Sequence, residues 1–184
     1  MIKPVYFVRH GQTFWNIENK ICGATDIGLT EEGKGQARQT GLLIKQHIDS
    51  NLINIDEILT SPLSRARDTA LIISEITGLN VKEEPRLIEQ NFGRYESTPR
   101  DGKEFAEAKK EFLNSYDGGE SMLRTGQRIY NLLDDIKNDD KIYLLVAHNG
   151  IARMVRSYFE DMTNEEFASY GVPNCSITEY RFKD

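Results

Sequence analysis

The chain has 184 residues, 39% of them hydrophobic, and a formal net charge of −6. That length suits one domain with a real core. The acidic balance excludes a general attraction to nucleic acid or anionic membrane, so an anionic ligand would need a local basic pocket. No apolar run approaches the roughly 18–20 residues that span a bilayer. The N-terminus enters a strand with no secretory pattern, which reads as a cytoplasmic protein. Cys22 and Cys175 stand far apart and match neither a zinc pattern nor a disulfide framework; in that compartment they are expected as thiols.

Val5 to Val8 form an apolar run that stops at Arg9-His10-Gly11. This reads as a buried strand ending in a cation, an imidazole and a glycine. Ligands of open α/β sheets bind beyond the carboxyl ends of strands. Residues 17–29 hold two glycines and no periodicity, and are expected as a loop. Thr30 caps a helix whose apolar face is drawn by Ala37, Gly41, Leu42, Ile44, Ile48 and Leu52; His47 on it reads as solvated. A short strand at 55–60 precedes Ser61-Pro62, read as N-cap and first residue of a helix ending at Gly78. Residues 79–84 look like another strand.

From 85 to 120 the pattern is irregular, with a charged helical stretch from Asp101 to Tyr116 and a turn at Asp117-Gly118-Gly119. The portion 91–120 has the composition of a cap or lid. Glu120-Ser121 opens a helix to about Asn138, with Ile129, Leu132, Leu133 and Ile136 on one side. Lys141 to Ala147 is the second strongly apolar run, and it ends at His148-Asn149-Gly150. A helix follows, then a short one opened by Thr163, then an alternating edge strand from Ser176 to Phe182. Strands separated by helices imply an α/β fold, a mostly parallel sheet with helices on both faces in a three-layer sandwich.

Two buried strands thus end in histidines. Adjacent in one sheet, they would bring His10 and His148 together beside Arg9. Arg65 lies near a helix start, where partial positive charge and free N–H groups favour an anion. Its planar fork matches phosphate oxygens. Arg67 reads as a surface ion pair.

The stretch VRHGQTFWN at 8–16 resembles the signature of the histidine phosphatase superfamily. SPLSRARDTA around Arg65 is similar to its second motif, and LIEQNFGRYE around Glu89 to its third. Gly119-Glu120-Ser121 and VAHNG at 146–150 also match, so the resemblance covers essentially the whole chain in order. It implies a phosphoglycerate mutase-like fold carrying a small lid at 91–120. It also implies a phosphate monoester substrate, with His10 as nucleophile, Glu89 as proton donor, and Arg9, Arg65 and His148 as the groups that neutralise phosphate. For His10 to attack through one ring nitrogen, the other must be held, most simply by a backbone carbonyl. Gln12, Asn16, Gly23 and Asn149 carry over as substrate-binding residues, although Gln12 and Asn16 also read as ordinary loop polar groups. The resemblance implies no metal and no cofactor, and a small phosphorylated substrate as the partner. Ser97 and Asn149 depart from the pattern, where relatives often have glycine.

The compact stretch between Glu89 and VAHNG resembles the phosphatase branch, including alpha-ribazole phosphatases and broad-specificity phosphatases. A phosphoglycerate mutase and a non-catalytic phospho-ligand module stand as alternatives. Arg94, Tyr95 and Arg100 are candidates to meet the leaving group. Substrate identity and oligomeric state are left open by the sequence.

Overall fold

The computed structural model of the chain describes residues 3–183. Its centre is a five-stranded sheet built from β1 (Pro4–Arg9), β2 (Glu57–Thr60), β3 (Asn80–Glu83), β4 (Tyr143–Ala147) and β5 (Ile177–Arg181), in the order β3-β2-β4-β1-β5. β1, β2, β3 and β4 run parallel, and β5 pairs antiparallel with β1 at one edge. The sheet is mixed only at that edge, and the fold is the α/β sandwich expected.

The two central strands are buried on both faces, which explains their continuous apolar sequence. Alternate residues serve opposite layers. Val5 and Phe7 of β1, with Leu145 of β4, face α5 (Met122–Asn138) and α6 (Asn149–Phe159). Tyr6 and Val8, with Leu144 and Val146, face α2 (Glu31–Asp49) and α3 (Ser64–Thr77).

Three local expectations are corrected. The buried residues of α2 are Gly33, Ala37, Thr40, Gly41 and Ile44, whereas Leu42 is 60% and Leu52 70% exposed. Leu42 sits one position off a stripe that repeats every three or four residues, and Leu52 lies beyond the last turn. α3 begins at Ser64, not at Pro62, and Leu63 occupies its cap position without a side-chain bond. Asp26, from the preceding loop, instead accepts from the Ser64 backbone N–H at 2.9 Å and from its hydroxyl at 2.7 Å. In the 101–116 stretch only α4 (Lys103–Ala108) is helical. Phe105 and Ala108 pack into a small cluster with Ile21, Phe92, Tyr95 and Tyr116. Phe112 turns away to the main core, which the helix path cannot follow. A four-residue helix, α1 (Phe14–Ile17), capped by Thr13, lies ahead of the expected loop, and α7 (Asn164–Ser169) precedes the last strand.

His47 is half-buried near the end of α2, and Arg67 faces Asp68 on the surface at 3.9 Å.

The end of β1 is fastened to the sheet and to α3. His10 N–H donates to the Ala147 carbonyl at 2.9 Å. Gly11 N–H donates to the Thr69 hydroxyl at 3.0 Å, and that hydroxyl donates to the Arg65 carbonyl at 2.7 Å. Gly11 and Thr69 are both buried. Thr69→Val keeps the volume but leaves the Gly11 N–H without an acceptor. The expected loss is about 1–3 kcal/mol in denaturant unfolding; a change below about 0.5 kcal/mol would contradict this anchoring.

Candidate active site

His10 and His148 leave neighbouring strands at the same level of the sheet, with Arg9 opposite Ala147 in the ladder. Their ring centroids lie 5.2 Å apart. Both side chains are buried, so their hydrogen bonds fix their protonation. His10 Nδ1 donates to the Gly11 carbonyl at 2.7 Å, which leaves the lone pair on Nε2. His148 Nδ1 accepts from Arg65 Nε at 3.2 Å, so its proton sits on Nε2 and is donated to the Ser61 hydroxyl at 2.7 Å. Ser61 is therefore a partner of the second histidine; its Oγ also accepts from the Leu63 N–H at 3.3 Å, one residue ahead of α3. Burial first, then the positive charge of Arg65, holds both imidazoles well below the ordinary histidine value. His148 thus stands as a neutral N–H donor.

Arg65 is fully buried. Besides His148, it donates to the Thr25 carbonyl through Nη1 at 2.8 Å and to the Gly23 carbonyl through Nη2 at 2.7 Å. Of five guanidinium N–H groups, these bonds use three and leave one on each Nη, and Arg65 itself lies behind the residues that line the cavity. The loop carrying those carbonyls is itself clamped by Glu96. Its two oxygens accept from the backbone N–H groups of Gly23 and Ala24, each at 3.1 Å, from Thr25 Oγ1 at 2.7 Å, and from Phe92 N–H at 3.0 Å. Gly23 is needed for that approach, since a Cβ there would overlap a Glu96 oxygen. Its N–H is committed to Glu96 and not offered to a substrate, which corrects the role expected of it.

Arg9 donates to the Val172 carbonyl at 2.6 Å, while its buried Nε–H has no partner among the described residues. Glu89 is buried and accepts from the Gly150 N–H and from the Gln90 N–H, each at 2.9 Å. A Cβ at Gly150 would overlap a Glu89 oxygen, so only glycine allows this contact. Burial raises the Glu89 carboxyl above the usual carboxylate range, against the pull of those two N–H groups.

One small cavity of about 70 Å³ is lined by His10, Arg9, Glu89, Asn16 and Asn149 together. Asn16 Oδ1 accepts from Thr13 N–H, and Asn149 Oδ1 from Val172 N–H. Gln12 does not line it: its side chain accepts from the Thr30 hydroxyl at 3.0 Å. Of the three lid candidates only Arg100 reaches the cavity. Arg94 is spent on Glu104 and Asp117 at the surface, and Tyr95 is buried. Lys109 and Arg153 also line it and were missed. Lys109 was hidden in a charged helical pattern that reads as solvated, and Arg153 in a helix read only for its apolar face. Cys22 lines the cavity too, but burial pushes its thiol up to about 11, so it is not a thiolate at neutral pH.

The model of the histidine phosphatase superfamily (branch 1) matches residues 5–184. The chain belongs to the histidine phosphatase superfamily. A curated superfamily relative from Yersinia pestis, named "Probable phosphoglycerate mutase GpmB", is 38% identical over 190 residues, covering 98% of this chain and 85% of its own. A mycobacterial glucosyl-3-phosphoglycerate phosphatase in complex with VO3 superposes with a TM-score of 0.82 at 25% identity, over 96% of this chain and 92% of that one. The protein TTHB049 from Thermus thermophilus gives 0.72 at 29% identity, over 96% and 92%. Among the described residues, no helix is long and apolar enough to cross a membrane.

The buried neutral histidines make stability pH-dependent. Their folded pKa values are depressed, so their contribution is present above the unfolded value near 6.5 and is lost as pH falls below it. Glu89, raised in the fold, works in the opposite sense and softens the loss. Unfolding free energy is expected to fall as pH drops from 6.5 to 5, with a slope that steepens toward about 1.4 kcal/mol per pH unit near pH 5, the value for the net one proton left when Glu89 offsets one of the two histidines. His10→Asn removes one of the two sites and flattens that slope. A level wild-type curve across this window would contradict the assigned neutral rings.

Proposed function

We propose that the chain is a metal-independent phosphatase that hydrolyses a small phosphomonoester through a phosphohistidine on His10, with Glu89 as proton donor. The observation that carries this reading is the pairing of His10 and Glu89 in one cavity. The first has Nδ1 tied to a carbonyl and an Nε2 lone pair, and the second is a carboxyl that burial favours in its protonated form.

In the first step the Nε2 lone pair of His10 attacks phosphorus and the phosphorus–ester oxygen bond breaks. The departing oxygen takes the proton of the Glu89 carboxyl. Arg9, with its unpartnered Nε–H, the two free N–H groups of Arg65 and the His148 Nε2–H are the donors for phosphate oxygens. The His148 Nε2–H stays on the ring and exchanges its acceptor, Ser61 Oγ, for a phosphate oxygen. In the second step the Glu89 carboxylate takes a proton from water. The oxygen attacks phosphorus, the phosphorus–nitrogen bond breaks, and the electron pair returns to Nε2. Arginines and N–H groups supply the positive field, so no metal is required. Asn16 and Asn149 are proposed as substrate-binding residues at the cavity wall. The whole chain is proposed to act as one domain in the cytoplasm, with 91–120 as the lid that selects the substrate.

A second reading, phosphoglycerate mutase, rests on the name of the Yersinia relative. It shares the phosphoenzyme but returns the phosphoryl group to a hydroxyl instead of water. Release of inorganic phosphate from 3-phosphoglycerate, measured against formation of 2-phosphoglycerate, separates the two.

Hydrolysis of p-nitrophenyl phosphate in excess EDTA is expected to match the rate without chelator. His10→Ala should abolish it. Glu89→Gln should lower kcat by about 10²–10⁴-fold, the range for a positioned acid; loss of activity in EDTA, or a His10→Ala protein that still turns over, would overturn the mechanism.

A further inference from the structure

α5 and α6 run side by side, with Gly126 next to Met154 and the Tyr130 hydroxyl 3.0 Å from that of Ser157. Along them, flanked by Phe112 and Phe167, lies a groove of about 650 Å³. That is a size at which small organic ligands are held, whereas the catalytic cavity has only about 70 Å³. Three of the chain's four methionines, Met122, Met154 and Met162, line the groove. Methionine is the apolar side chain that best reshapes around varied partners. Leu123 stands beside them, 59% exposed, so this apolar surface is open to water.

The helix keeps the groove open at some cost to itself. Gly126 sits inside α5, where glycine is a poor helix former. No close backbone approach demands it. Outside the helix, the nearest group to a Cβ at this position would be the Met154 sulfur, at 3.7 Å, an ordinary contact. At Gly11, Gly33 and Gly150, by contrast, a Cβ would overlap a neighbour. A side chain at 126 would fold without clash and fill the groove.

The polar groups of the groove have one sign. Glu160 and Asp161 follow Met154 and Ser157 past the end of α6, and no lysine, arginine or histidine lines the groove among the described residues. Glu160 is shared with Arg156 at 2.8 Å, but Asp161 has no ion-pair partner among the described residues. The last carbonyls of α6 add partial negative charge at the same end. The catalytic cavity is opposite in sign, with Arg9, Arg100, Lys109 and Arg153 in its wall. An anion drawn to that cavity is not drawn to the groove. An ammonium group finds there two carboxylates and the Tyr130 ring.

We propose that this groove is a second ligand site, separate from the catalytic cavity, and that its occupant is a small amphiphilic amine. The apolar or aromatic body rests on the methionines, and the protonated amino group meets Asp161 and Glu160.

The test is an NMR titration of the wild-type chain, labelled at its methionine methyl groups, with 6-phenylhexylamine, 6-phenylhexanol and 6-phenylhexanoate. The three probes share one body and differ in charge. The Met122, Met154 and Met162 signals are expected to shift with the amine at a Kd of about 1 mM or below, as a body of this size provides. The amine should bind severalfold tighter than the alcohol, and the carboxylate weakest. Asp161→Asn, at an exposed position, should remove most of the amine's advantage and leave the affinity for the alcohol as it was. Gly126→Leu should abolish binding of all three with a melting temperature no lower than that of the wild type; if that variant misfolds, Asp161→Asn decides. Methionine signals that do not move, equal binding of amine and carboxylate, an amine preference that Asp161→Asn leaves intact, or a folded Gly126→Leu protein that binds as before overturns the proposal. So does a wild-type dimer, seen by sedimentation, that Gly126→Leu dissociates, since the groove would then hold a second copy of the chain.

Discussion

The pairing of β1 with β4 is the constraint on which the site depends. The two strands run parallel in a register that sets Arg9 beside Ala147, and the next residue of each is a histidine. Because side chains alternate across a sheet, a slip of one residue would send one imidazole to the opposite face. That register is enforced from both layers. Phe7 and Leu145 must enter one core while Val8 and Val146 enter the other, and all four are fully or almost fully buried. The chemistry is thus placed by packing that has no chemical role.

From that point outward the site is assembled by hydrogen bonds in series. Glu96 orders the loop at 23–25, the loop's carbonyls orient Arg65, Arg65 fixes the tautomer of His148, and His148 reaches Ser61. Each link uses a buried donor or acceptor that would be costly unpaired. The same burial gives His10 and Glu89 opposite shifts. The imidazole is held toward its neutral form and the carboxyl toward its protonated form, the states that the proposed nucleophile and acid need. Two groups whose values are pushed in useful directions by one environment are what an acid and a nucleophile at a common site need.

Much of this was legible in the chain. Both central strands announced themselves as apolar runs broken at Arg9-His10 and at His148, because strands buried on both faces need no polar alternation. What was illegible lay where a short-range pattern was outbid by a distant partner. Ser61-Pro62 has the form of a helix start, but the hydroxyl is claimed by His148 and the cap is supplied by Asp26, some forty residues earlier. Gly23 was read for its N–H, which a glutamate 73 positions later occupies. Arg100, Lys109 and Arg153 carry no local mark that separates them from surface charges. Only the folded chain shows that they share a cavity.

The most direct test of the central claim is to trap the intermediate. A rapid acid-free quench of the protein with a labelled phosphomonoester, followed by mass spectrometry and phosphorus NMR, locates the phosphoryl group and the nitrogen that holds it. Since His10 Nδ1 is held by the Gly11 carbonyl, the account predicts one phosphoryl group on His10, at Nε2. Phosphate on Nδ1, on His148 or on any other side chain would contradict it.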